Sequence, residues 1–152
     1  AALDRQHPRD LFDIKLLSEA GGLNEEISQA FVVYLASHNR PMSELLSPNF
    51  QDFKQAYEAE FKGMSSIEVT YRELEKIRKE LPPLILSKLS RNERKFLLSV
   101  KMGIPDFSLL SISGLENLPA IKWKVENISR MESKKRIAAT EKLKSILDLS
   151  QQ

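Results

Sequence analysis

Helix breakers constrain this chain more than anything else in it: prolines and glycines fall at the seams between segments whose apolar residues recur three and four positions apart. Pro8 suits the first turn of a helix running to about Ala20, and Gly21-Gly22 stops it. Asn24 can cap a second helix, to about His38, with Ile27, Phe31, Tyr34 and Leu35 at helical spacing before Asn39-Arg40-Pro41 ends it. A short helical turn over Ser43–Leu46 stops before Pro48. A third main helix is expected from about Phe50 to Lys62, with Phe50, Phe53, Tyr57 and Phe61 forming one buried aromatic stripe before Gly63.

Two capping-box spacings follow. Thr70 and Glu73 open a helix that meets Pro82-Pro83, where a missing N–H and a clash with the preceding turn predict a break or kink before Leu84–Leu89 resumes. Ser90 and Glu93 open another, which ends at Gly103 ahead of Ile104-Pro105. The segment PDFSLLSISGL reads as a compact connection, Pro119 as the start of a helix, and Ser133 to Leu149 as the last helix. Only Glu68–Thr70 has any strand character. The pattern predicts an all-α fold, an irregular bundle of about six to eight helices. Residues 1–152 are read as a single helical domain, with residues 63–66 as the one candidate subdivision.

A chain of 152 residues can bury one substantial core. Its net charge of +2 is too small to imply a nucleic-acid or membrane partner. The charge is uneven, however: residues 1–62 carry six Lys/Arg against ten Asp/Glu, and residues 119–152 carry eight against four, so the C-terminal end could meet an anion. Without cysteine there is no disulfide, no thiolate catalysis and no cysteine-ligated zinc. No apolar run is long enough to span a bilayer and no signal peptide is visible, so a cytoplasmic protein is expected. The sequence begins without Met and already in helix-like residues, as a processed or shortened N-terminus would.

Phosphate-loop, dinucleotide, serine-hydrolase and zinc-peptidase signatures are missing, and His7 and His38 read as surface or cap residues rather than a metal pair. The charged residues that stand out are in RQHPRDLFD, spaced R-x-x-x-R-D-x-x-D. If Pro8 begins the helix, Asp10 and Asp13 share a face, and Arg9 lies one turn from Asp13 and can pair with it. A carboxylate pair flanked by Arg5 and Arg9 can serve a metal, a phosphate or another catalytic group; the same acids also offset a helix dipole. In IKWKVEN, Trp123 between Lys122 and Lys124 could stack a base and hold its phosphate, or simply be packed with the lysines snorkelling beside it. Lys134, Lys135 and Arg136 form a solvated run that would suit phosphate contact.

The segment ALDRQHPRDLFDIKLL, followed by GG, a helix and PMSELLSPN, resembles the later part of the AbiEii/AbiGii-type nucleotidyltransferase toxins. FKGM, RNERKFLLSVKMGIPDFSLL and GLENLPAIKWKVENI fit the same helical region, so the resemblance covers nearly the whole chain. It implies a parent enzyme that joins a nucleoside monophosphate to an acceptor, tRNA in characterised members, as the toxin of a type IV-like toxin–antitoxin or phage-defence system. By that resemblance Arg5, Arg9, Asp10 and Asp13 match the helix motif, and Asp13, with Asp10 second, corresponds to the family's late catalytic aspartate. The family's main metal-binding carboxylates and conserved lysine lie upstream of the matching segment. Mg and a nucleoside triphosphate are therefore expected of the parent enzyme, and no cofactor or metal site in this chain, which by itself should be inactive.

Two other readings remain open. The chain could be a non-catalytic helical interaction module, binding an antitoxin-like protein or a second copy of itself, with an apolar patch as its exposed feature. It could also be a nucleic-acid-binding domain, if the basic residues of 119–144 gather on one surface.

Overall fold

A computed structural model describes residues 1–149. Among them are eight α-helices and no strand: α1 (Pro8–Glu19), α2 (Glu25–Ser37), α3 (Met42–Leu46), α4 (Lys54–Glu60), α5 (Tyr71–Lys88), α6 (Arg91–Met102), α7 (Pro119–Ser129) and α8 (Ser133–Ile146). Two 3₁₀ turns, Phe107–Leu109 and Leu115–Asn117, fill the connection between α6 and α7. The fold is all-α, as expected. No helix among the described residues is long and apolar enough to cross a membrane.

The chain divides into two compact units. The first comprises residues 1–24 and 46–87, and residues 63–66 lie inside it. Its core gathers Leu11 of α1, Phe53, Tyr57 and Phe61 around α4, Val69, and Leu74 of α5, with Phe12 and Tyr71 half-buried against them. The aromatic rings interlock, Phe12 with Phe61 at 5.5 Å and Phe53 with Tyr71 at 4.8 Å between centroids. Such pairs add to the simple burial of ring area. The one phenol deep in this cluster is satisfied, since the Tyr57 hydroxyl donates to the Val69 carbonyl at 2.8 Å. Residues 68–70 thus run as an irregular, non-strand segment, and Val69 carries both the side chain and the carbonyl that fix it.

Two expectations fail in this unit or at its edge, each for a tertiary reason. The third main helix is shorter than its aromatic spacing suggests: it begins at Lys54, and Phe50 is 44% exposed rather than part of the core. Arg78 lies over both the Phe50 and Phe53 rings, 5.1 and 4.6 Å from their centroids, and donates to the Gln51 carbonyl, which holds residues 50–53 out of the helix. The Asp52 carboxylate accepts from the Lys54 N–H at 2.9 Å and marks the actual start. Second, α5 runs unbroken through Pro82 and Pro83. Leu81, Pro82 and Ile85 are buried along it, and that burial offsets the two backbone bonds the prolines cannot make. The Thr70–Glu73 box forms as expected and opens this long helix.

The second unit comprises residues 25–45 and the chain from Lys88 onward. Its centre is α6, which packs against α2, α7 and α8. Phe96, Leu97 and Val100 of α6, Val32 and Leu35 of α2, Ile121 and Ile128 of α7 and Leu143 of α8 are all buried. Both ends of α6 follow the sequence signals: Ser90 and Glu93 complete a reciprocal capping box, and Gly103 closes the helix at φ +83°. The Ile104 and Gly103 N–H groups return to the Ser99 and Val100 carbonyls, and left-handed backbone at that position favours glycine. The last helix ends at Ile146, three residues short of the expected Leu149.

Candidate functional site

The N-terminal motif is built by a turn, a reversal and a helix start. The Ala1 carbonyl accepts from the N–H groups of Asp4 and Arg5 at 2.9 and 2.8 Å, which curls the first residues into a turn. Gln6 then adopts φ +54°, a conformation non-glycine residues rarely take, and its side-chain amide is held by donating to the Asn49 carbonyl at 3.1 Å. His7 is the N-cap of α1: its Nδ1 accepts from the Arg9 N–H at 3.3 Å, which leaves Nε2 facing Glu60 Oε2 at 3.1 Å. Pro8 takes the first helical position.

That reversal decides which charges meet. Arg5 folds back onto Asp10, Nη2 to Oδ1 at 2.7 Å and Nε to Oδ2 at 3.2 Å, a two-pronged pair on a carboxylate only 8% exposed. The expected Arg9–Asp13 pair does not form. Arg9 instead donates to the Glu60 carbonyl at 3.2 Å, and Asp13 stands exposed on α1. Of the four motif residues, the structure joins Arg5 to Asp10 and leaves Asp13 open to solvent. Among the described residues no three acidic or histidine side chains gather where an ion could be held. With Asp10 engaged by Arg5 and Asp13 alone, these side chains do not form a Mg²⁺ site by themselves.

The second unit carries a cleft of ≈ 530 Å³ between α7, the end of α6 and the segment following α2. Trp123 lines it and is 61% exposed, so the single tryptophan is not buried packing. Its two neighbouring lysines separate. Lys122 is exposed, whereas Lys124 turns inward and donates to the carbonyls of Leu35, His38 and Arg40. Those carbonyls lie at and just beyond the C-terminus of α2, where backbone acceptors have no helical partner and a cation is favoured. Burial, and secondarily the neighbouring Lys101 charge, lower the Lys124 pKa from 10.5 to about 8.

Sequence reasoning missed Lys101, which also lines the cleft and is buried; desolvation lowers its pKa. The signal was there: Lys101 falls four residues after Leu97 on the apolar stripe of α6, where a lysine is out of place. Lys134 and Lys135 are exposed in the first turn of α8 and Arg136 is half-buried. No hydrogen bond or ion pair among the described residues links any of the three to Lys122 or Trp123.

A family model described as the nucleotidyl transferase AbiEii toxin of a type IV toxin–antitoxin system matches residues 1–127. An all-helical chain that opens on the Arg5-to-Asp13 motif thus falls in the toxin class of a toxin–antitoxin pair, a class that implies an antitoxin partner. The chain belongs to the AbiEii nucleotidyl transferase toxin family. The match runs from the first residue into α7 and leaves α8 and its basic run outside. No curated protein and no solved structure matches the chain.

Proposed function

We propose that this chain is the helical C-terminal portion of an AbiEii-type nucleotidyltransferase toxin, which in the whole enzyme transfers a nucleoside monophosphate to an RNA acceptor such as tRNA, in the cytoplasm and in a phage-defence setting. The observation that carries the reading is the build of α1: Arg5 and Asp10 lock the motif's backbone while Asp13 projects into solvent from a fixed helix face. A preorganised carboxylate of this kind is what an active-site edge needs, because a side chain held by its own helix loses little freedom when a substrate arrives. Asp13 is accordingly assigned the catalytic position. Asp10 is its positioning residue, and Arg5 and Arg9 are the motif's cations for a substrate phosphate.

Nucleotidyl transfer uses metal-bound triphosphate, and the carboxylates among the described residues do not fit that ion on their own. No step through the metal is therefore assigned to it, and residues 1–152 alone should be inert. Incubation with labelled nucleoside triphosphates, Mg²⁺ and bulk tRNA tests this directly. Background-level incorporation is expected, and robust transfer by residues 1–152 would overturn the assignment. In the whole enzyme, Asp13→Asn should lower transfer by at least tenfold while the protein's thermal midpoint stays put.

A further inference from the structure

The cleft of the second unit has a chemistry of its own that the α1 motif does not explain. Its lining includes Lys101, Lys124, Trp123, Asn127 and Asn39, and contains no aspartate or glutamate. Lys101 is 8% exposed, and among the described residues it makes no hydrogen bond or ion pair. Most of the Lys101 side chain is withdrawn from water with no counter-charge beside it, and an anion entering the cleft would supply one. Lys124 is a second positive charge, close enough for the Lys101 charge to lower its pKa, but its protons already go to the carbonyls at the end of α2. The cation left to meet an anion in the cleft is therefore Lys101.

On the same lining stands Trp123, with most of its indole in water. An exposed indole beside a cation is a stacking platform for a planar base, tolerant of which base it takes because every base has a π-face. Asn127, one helical turn after Trp123, supplies an amide that can both donate and accept at a base edge. The volume, ≈ 530 Å³, lies inside the ~300–1,000 Å³ range of small-molecule sites.

We propose that this cleft binds a nucleoside phosphate, its base stacked on Trp123 and its phosphate against Lys101. The ligand is either a free nucleotide or one nucleotide of a single RNA strand, since both present the same base and phosphate. The proposal rests on the cleft's side chains and stands whether or not nucleotide transfer is found.

Trp123 is the chain's one tryptophan, so its fluorescence reports on the cleft directly. Residues 1–152 are titrated separately with adenosine 5′-monophosphate, adenosine, inorganic phosphate and a single-stranded oligoadenylate. Saturable quenching by the monophosphate is expected, with adenosine at least tenfold weaker and inorganic phosphate competing without quenching. Lys101→Met should weaken the monophosphate at least tenfold. Tighter, salt-sensitive binding of the oligonucleotide would identify an RNA strand as the source, and equal or weaker binding a free nucleotide. No saturable quenching by either ligand, or unchanged affinity in Lys101→Met, would overturn the proposal. If circular dichroism shows that Lys101→Met does not fold, Asn127→Ala and Trp123→Ala, both at exposed positions, are titrated by calorimetry instead. Unchanged affinity in both would be equally decisive against it.

Discussion

Arg5 holds Asp10 through two nitrogens, at 2.7 and 3.2 Å, and so turns half of the R-x-x-x-R-D-x-x-D motif into a structural clasp. The clasp joins the turn before α1 to the first turn of the helix, with Gln6 in left-handed backbone between them. Asp13, three residues beyond Asp10, takes no part in it and is exposed.

The two aspartates should therefore separate in a stability measurement. Asp10→Ala removes a buried acceptor from a charge-assisted pair whose other partner is largely in water, and a loss of about 1–2 kcal/mol is expected. For a chain of this size that lowers the thermal midpoint by about 2–6 °C. Asp13→Ala should leave it within about 1 °C, because substitutions at exposed sites without partners cost little. Thermal unfolding followed by circular dichroism decides the matter; equal losses in the two variants would remove the distinction between clasp and open carboxylate.

Arg78 makes a second, sharper prediction in the same unit. It is 5% exposed, lies over Phe50 and Phe53, donates to the Gln51 carbonyl and has Glu75 3.9 Å away. Its Nε has no partner among the described residues. Arg78→Ala removes the stacked plane and the carbonyl's donor together, and about 2–4 kcal/mol should be lost in urea unfolding. Arg78→Lys keeps the charge but not the planar fork, so it should recover less than half of that loss. Full recovery by lysine would mean that charge alone, and not the stack on two rings, holds residues 50–53.

These pairs also mark where the sequence was legible. Signals read within a few residues of their target held: Pro8 at the start of α1, the Ser90–Glu93 box and Gly103 at the two ends of α6. Their physics is local, a missing N–H, a reciprocal cap and a left-handed residue, so no knowledge of the fold is needed to see them. The start of α4 was not legible because it depends on a guanidinium 27 residues away, nor was the continuity of α5, because buried residues decide whether two prolines end a helix. In the α1 motif, i,i+4 spacing favoured Arg9 with Asp13, and the reversal at Gln6 gave Asp10 to Arg5 instead. The cleft was half visible: Trp123 could be singled out from the lysines around it, but its exposure and the burial of Lys101 are properties of how α6 and α7 meet.

The capping box at the start of α6 gives a local test. Ser90 Oγ accepts from the Glu93 N–H at 3.2 Å, and Glu93 Oε2 accepts from the Ser90 N–H at 2.7 Å. Ser90→Ala should cost about 1 kcal/mol, and Ser90→Gly only a few tenths, because glycine leaves the helix end open to solvent. Since α6 is the helix on which the second unit is assembled, the loss should appear in the main unfolding transition rather than as fraying of one end. Amide hydrogen exchange at Phe96 and Leu97 reads this out: protection there should fall with the same free energy as the equilibrium transition.

Lys124 ties the end of α2 to α7, and its titration should be visible in stability. In the folded chain its pKa is lowered to about 8, while an unfolded lysine keeps the ordinary 10.5. Between those values the unfolded chain binds a proton that the folded chain has released, so unfolding takes up protons and stability attributable to Lys124 rises with pH. Below about pH 8 both states are protonated, and the folded state bears the full desolvation cost. Lys124→Met abolishes the titration and also the donors to the Leu35, His38 and Arg40 carbonyls. The variant should be less stable at every pH, by about 1 kcal/mol or more at neutral pH. Its deficit relative to the wild type should widen as pH climbs from about 8 to about 10, since only the wild type gains there. A second readout isolates the cause: because the Lys101 charge helps to lower the Lys124 pKa, Lys101→Met should move the ¹⁵N titration midpoint of the Lys124 Nζ upward. A deficit that stays constant with pH, together with an unmoved midpoint, would show that Lys124 does not sit in the desolvated, like-charged environment its position in the cleft defines.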